Sequence, residues 1–174
     1  ADLHRPRQHE IFRVSNRSGL VSILAEGMDP ATAIVRTLVP ELYLLPAGPA
    51  TPNPSGLLSS EAMRALLEYA GMNFDFVVVD VPPVFPVADA LVLGPHADGV
   101  VLCVQWGQTS VDLVARACEA LRRGRFALLG AVLNRVSEST SPYAREYAYY
   151  GGGEERAEEE AAPRSASAVA GHRG

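Results

Sequence analysis

The run Phe76-Val77-Val78-Val79-Asp80-Val81-Pro82-Pro83 sets one carboxylate at the end of an apolar stretch and breaks the chain at once with two prolines. In open α/β sheets, ligands bind beyond the carboxyl ends of strands, so Asp80 stands where a ligand would sit. A carboxylate there can hold Mg²⁺ directly or through water and neutralise charge on a phosphate in transfer. As an isolated pattern, a strand-ending Asp that only caps the next turn is the commoner case. The surrounding sequence has to decide.

A second group of reactive side chains lies near the other end. Tyr143, Tyr147, Tyr149 and Tyr150 are four of the six tyrosines and fall within eight residues, beside Pro142 and ahead of Gly151-Gly152-Gly153. They follow no apolar period, so their hydroxyls are expected to be reachable. An aromatic tail that docks on the domain accounts for them as well as a phosphoacceptor does. Each added phosphate would bring about −1.5 to −2 charges next to the acidic block Glu154, Glu155, Glu158, Glu159 and Glu160.

Other reactive side chains have plainer explanations. His9 and His96 have no partners at ligand spacing, and no catalytic triad can be assembled. Cys103 and Cys118 lack metal spacing and are expected to be core thiols of a reducing compartment. Asp89 reads as a helix-associated acid and Asp98 as a turn residue before Gly99, and both are left out of the site.

The elements that must carry Asp80 follow from the apolar pattern. Leu42 to Leu45, Phe76 to Asp80, Val100 to Val104 and Leu129 to Leu133 read as strands buried on both faces, as in a parallel sheet. Between them, Ser110 to Arg123 repeats Val111, Val114, Cys118 and Leu121 at helical spacing, with Thr109 or Ser110 as cap and Gly124 as stop. Another helix begins after Ser59-Ser60, aligns Met63, Leu66, Leu67 and Ala70, and is expected to stop at Gly71. Strands alternating with helices imply βαβ units and a doubly wound α/β fold with a mostly parallel sheet.

Composition sets the remaining bounds. With 174 residues, 48% of them apolar, the chain can bury one domain core. The expected division is a domain over residues 1–136 and a flexible tail over 137–174, where Ser, Thr, Pro, Gly, Glu and Ala take over. A net charge of −5 with no basic stripe argues against nucleic acid as a partner. No run approaches the length of a membrane span. The opening on Ala1 rather than Met is read as a processed or incomplete start, so the fold is expected to be N-terminally truncated.

Several motifs succeed one another in a recognisable order. They are Asp2-Leu3-His4-Arg5-Pro6-Arg7-Gln8-His9-Glu10-Ile11-Phe12, Gly19-Leu20-Val21-Ser22-Ile23-Leu24, Leu45-Pro46-Ala47-Gly48, and Pro52-Asn53-Pro54 with Leu57-Leu58-Ser59-Ser60. Phe74-Asp75-Phe76 then leads into Asp80-Val81-Pro82-Pro83, followed by Asp89-Ala90-Leu91, Ala97-Asp98-Gly99-Val100 and Gly130-Ala131-Val132-Leu133-Asn134. This succession, ending in a tyrosine cluster, resembles the bacterial tyrosine autokinases of capsule and exopolysaccharide synthesis. It departs from the family pattern in Val81, where Thr is usual, and in His4, where Arg is common.

The resemblance implies a deviant-Walker P-loop fold and use of ATP and Mg²⁺. By it, Asp2 matches the second acid of the A-prime motif and Asp80 the Walker B acid; both would be catalytic and near the metal. Asn134 resembles a residue that related ATPases place near adenine, although an Asn ending a strand in a local turn fits equally. Tyr143, Tyr147, Tyr149 and Tyr150 would be the phosphoacceptors. No G-x-x-x-x-G-K-[ST] string occurs in the 174 residues, so the cradle that binds phosphate is expected to lie outside them.

The implied partners are a transmembrane polysaccharide co-polymerase, fused or separate, and other copies in a homo-oligomeric ring. The implied place is the cytoplasmic face of the inner membrane. Two other readings stand beside the kinase: a partitioning or division-site ATPase of the same superfamily, and a non-catalytic regulator of the polysaccharide machinery.

Overall fold

The computed structural model describes residues 1–136. Expectations for 137–174, including the four clustered tyrosines, lie outside them. In chain order the elements are α1 (Gln8–Ile11), α2 (Leu20–Glu26), α3 (Pro30–Ala33), β1 (Val35–Arg36), β2 (Tyr43–Leu44), α4 (Pro54–Leu58), α5 (Glu61–Asn73) and α6 (Asp89–Leu93). A 3₁₀ turn at Gly94–His96 leads to β3 (Val100–Gln105), α7 (Val111–Arg123) and β4 (Leu128–Asn134).

Capping chemistry sets most helix starts. Ser60 accepts the Met63 amide at the head of α5, and Ser110 accepts the Leu113 amide at the head of α7. Asn53 and Asp29, each followed by a proline, do the same for α4 and α3. α2 has no side-chain cap; instead its first two amides, on Leu20 and Val21, donate to the carbonyls of Pro46 and Ala47 at 2.8 and 2.9 Å. The loop at 46–48 therefore satisfies donors that a helix start otherwise leaves unpaired. Gly19 makes this approach possible: a Cβ built there would lie 2.1 Å from the Pro46 carbonyl oxygen.

One core gathers around α2. Leu20, Val21 and Ile23 pack with Leu3, Ala33, Leu58, Met63, Leu66 and Leu93, and Val79 and Val81 lean on this cluster from either side of Asp80. Ala117 and Leu121 on α7 are buried separately. β3 and β4 pair in parallel from Val100↔Leu128 to Gln105↔Asn134, with α7 as the connecting helix. This is the βαβ unit expected from the sequence.

Five expectations need correction. Leu42 to Leu45 yields only the two-residue β2, antiparallel to β1 rather than part of a parallel sheet. Phe76 to Asp80 forms no strand and joins no ladder among the described residues, and Phe76 and Val78 are 91% and 92% exposed. β3 and β4 are likewise open, with Val101, Val132 and Leu133 exposed and Leu129 71% exposed. Apolar runs are buried on both faces only where strands and helices cover them, and the described residues supply a single partner strand for β3. For the same reason Cys103 is exposed rather than a core thiol, while Cys118 is half-buried. The helix expected to stop at Gly71 runs on to Asn73, whose side-chain amide donates to the Tyr69 carbonyl at 2.8 Å.

Candidate active site

Asp80 ends the apolar run 76–80, and two contacts from residues 1–8 converge on it. The Ala1 amino group donates to its main-chain carbonyl at 2.8 Å. The Gln8 side-chain amide donates to its Oδ2 at 2.6 Å. Asp2, next to Ala1, folds its own turn: its Oδ1 accepts the amides of His4 at 3.0 Å and Arg5 at 2.9 Å. Leu3 is buried in the core. Asp2 is fixed by neighbours on both sides. The structure thus brings Asp2 and Asp80, the two acids singled out in the sequence, into one neighbourhood.

A third acid belongs to the same place. Asp89, the first residue of α6, is 0% exposed. Its Oδ1 accepts from Ser55 Oγ at 2.8 Å and its Oδ2 lies 2.9 Å from His4 Nε2. Facing a carboxylate, that ring nitrogen must carry the proton. The Asp89 cluster was missed in the sequence. The available signal was a lone acid inside the apolar stretch from Val84 to Leu93, which must find donors if buried. Gln8 gave no signal.

Asn134 ends β4 opposite Gln105. Its carbonyl accepts the Trp106 amide at 2.9 Å and its Oδ1 accepts the Arg135 amide at 2.8 Å. Among the described residues no hydrogen bond links it to Asp2 or Asp80.

The donor set suits a hard cation held in part by its substrate. Among the described residues no cluster of three or more His, Cys, Asp or Glu could cage a metal. Mg²⁺ seldom uses such a cage; it takes one or two carboxylates and completes its shell with waters and phosphate oxygens. Asp80 and Asp2 fit that role. The phosphate side is different: all 15 basic residues are arginines, so these residues offer no lysine for a phosphate cradle.

Comparison with known proteins shows what the chain as a whole is similar to. Over 151 residues the chain is 40% identical to the tyrosine-protein kinase YwqD of Bacillus subtilis (strain 168), a match covering 87% of this chain and 62% of that protein. It superposes on the crystal structure of the chimerical protein CapA2B2 with a TM-score of 0.74 at 36% identity, over 78% of this chain and 60% of the other. The kinase domain of the Escherichia coli tyrosine kinase ETK gives a TM-score of 0.72 at 33% identity, over 78% and 55%. The chain belongs to the bacterial tyrosine-kinase family. No protein-family model matches it. As a family member it has the α/β fold of the P-loop type expected from its motif order. It spans 62% of the length of the B. subtilis relative. Among the described residues no helix is long and apolar enough to cross a membrane.

Proposed function

We propose that this protein is an ATP-dependent, Mg²⁺-requiring protein-tyrosine autokinase that regulates capsule or exopolysaccharide polymerisation and export. The observation that carries the reading is the convergence of Asp2 and Asp80, joined by the Ala1 to Asp80 hydrogen bond of 2.8 Å, in a chain whose relatives are named tyrosine-protein kinases.

Asp80 and Asp2 supply carboxylates for the metal. Asp2 also orients the attacking tyrosine hydroxyl and accepts its proton. Mg-ATP, when bound, supplies the phosphoryl group and part of the charge neutralisation. Asn134 contributes to the adenine side. Tyr143, Tyr147, Tyr149 and Tyr150 are the acceptors, and their phosphorylation beside the glutamate block repels tails from acidic neighbours. In the full assembly the acceptor tail of one subunit reaches a neighbour in a ring, at the cytoplasmic face of the membrane, bound to a transmembrane co-polymerase.

The 174 residues without the phosphate cradle are expected to bind Mg-ATP weakly or not at all. Tight binding in calorimetry would overturn that expectation. The kinase reading is tested in the complete gene product with labelled ATP. Phosphotyrosine should appear in the wild type and be lost in Asp80→Asn, and replacement of all four clustered tyrosines by Phe should remove it. Unchanged phosphotyrosine in that quadruple variant would rule out the tail as acceptor.

A further inference from the structure

We propose that Asp89 is a positioning residue for Asp2, acting through the imidazole of His4. The proposal rests on the kinase reading above and adds to it a residue outside both acid motifs.

A fully buried carboxylate is costly unless donors surround it. Asp89 has two, from segments 34 and 85 positions away in sequence: Ser55 Oγ at 2.8 Å and His4 Nε2 at 2.9 Å. Neither bond belongs to helix or sheet, so together they tie α4, α6 and the turn at residues 2–5 at one point.

The tie reaches Asp2 through one residue. His4 is held at its ring by Asp89 and at its main chain by Asp2, whose Oδ1 accepts the His4 amide at 3.0 Å and the Arg5 amide at 2.9 Å. Ala1 on Asp80 and Leu3 in the core fix the near side of Asp2. The Asp89–His4 bond fixes the far side. Without it the turn loses its anchor, its local hydrogen bonds to the His4 and Arg5 amides open more readily, and the Asp2 carboxylate is free to swing relative to Asp80. Phosphoryl transfer depends mainly on positioning, and a displacement of about 1 Å can cost about 10²-fold in rate.

The test has two readouts. In the 174-residue chain, amide hydrogen exchange at His4 and Arg5 should rise at least about 10-fold in both D89A and H4A, as local opening becomes easier. S55A, which leaves the His4 contact intact, should raise it far less. In the complete kinase, D89A and H4A should each lower the autophosphorylation rate about 10²-fold with the KM for ATP nearly unchanged. The double variant should be no worse than either alone, because both remove one interaction. D89N, whose Oδ1 can still accept from Ser55 and whose Nδ2 can donate to His4 Nε2 once the imidazole takes its other tautomer, should recover most of the rate.

Unchanged exchange in H4A and D89A overturns the proposal, as does a double variant whose loss is the product of the single losses. If D89A does not fold, the comparison of H4A with S55A decides: equal effects would mean general support rather than positioning. Absence of phosphotransfer in the wild-type complete protein, with exchange changed as expected, would instead overturn the kinase reading and the catalytic half of this proposal.

Discussion

Gln8, the first residue of α1, donates its side-chain amide to Asp80 Oδ2 at 2.6 Å across 72 positions of sequence. One oxygen of the carboxylate is thereby committed to a neutral donor, and the other remains for a cation or its water. The bond also selects one rotamer of an acid on a segment that joins no strand ladder among the described residues.

Gln8→Ala removes this restraint without removing charge. A hydrogen bond to a charged group is worth about 1.5–3 kcal/mol when well formed, and its exposure to solvent brings this one down to about 1 kcal/mol. The expected outcome is a rise of about 5-fold in the half-saturating Mg²⁺ concentration for autophosphorylation by the complete protein. Asp80→Asn should instead cost at least about 10²-fold in rate at any Mg²⁺ concentration. Identical Mg²⁺ titrations for Gln8→Ala and wild type would show that the bond does not restrain Asp80.

Two glycines should respond to alanine in opposite directions. A Cβ on Gly19 would meet the Pro46 carbonyl oxygen at 2.1 Å and the Gly48 nitrogen at 2.6 Å, both main-chain atoms. The loop and the helix start must separate, breaking the bonds that satisfy Leu20 and Val21, at a cost of about 2–3 kcal/mol. A Cβ on Gly71, inside α5, meets nothing within 4 Å. Gly71→Ala should therefore stabilise by about 0.5–1 kcal/mol. Urea denaturation midpoints measure both, and a shift of the same sign in the two variants would contradict the packing described for Gly19.

Helix starts give a further check on local structure. Ser60→Ala and Ser110→Ala each remove a cap and should each lower stability by about 1 kcal/mol, while Ser60→Asp should restore most of the loss. If Ser110→Ala left the denaturation midpoint unchanged, the Leu113 amide would have to find another acceptor.

The difference between what could and could not be read in advance follows the range of the interaction. Ser60, Ser110 and the spacing of α7 were legible because a cap and a helical face lie within a few residues of each other. Asp80 was legible as a strand-ending acid, and the order of motifs added Asp2. Asp89 was set aside because its meaning depends on Ser55 and His4, 34 and 85 residues away, and no periodicity encodes that meeting. The burial expected of Phe76 to Asp80 failed for a related reason: an apolar run states that a segment can be covered, while the cover itself comes from other strands.

That last mismatch makes a prediction of its own. Phe76 and Val78 are 91% and 92% exposed and Leu129 is 71% exposed, whereas Val79 packs on the core. An open strand edge with apolar side chains is a template for association. The 174-residue chain is therefore expected to self-associate across the micromolar range. Phe76→Lys combined with Leu129→Lys should shift it towards monomer in sedimentation velocity without lowering its thermal midpoint, because neither side chain contributes to the core. Val79→Lys should do the opposite, unfolding the chain by placing a charge against Leu3 and its neighbours. A wild-type chain that stays monomeric over the same range, or a double lysine variant that unfolds, would mean that Phe76 and Leu129 are covered in solution.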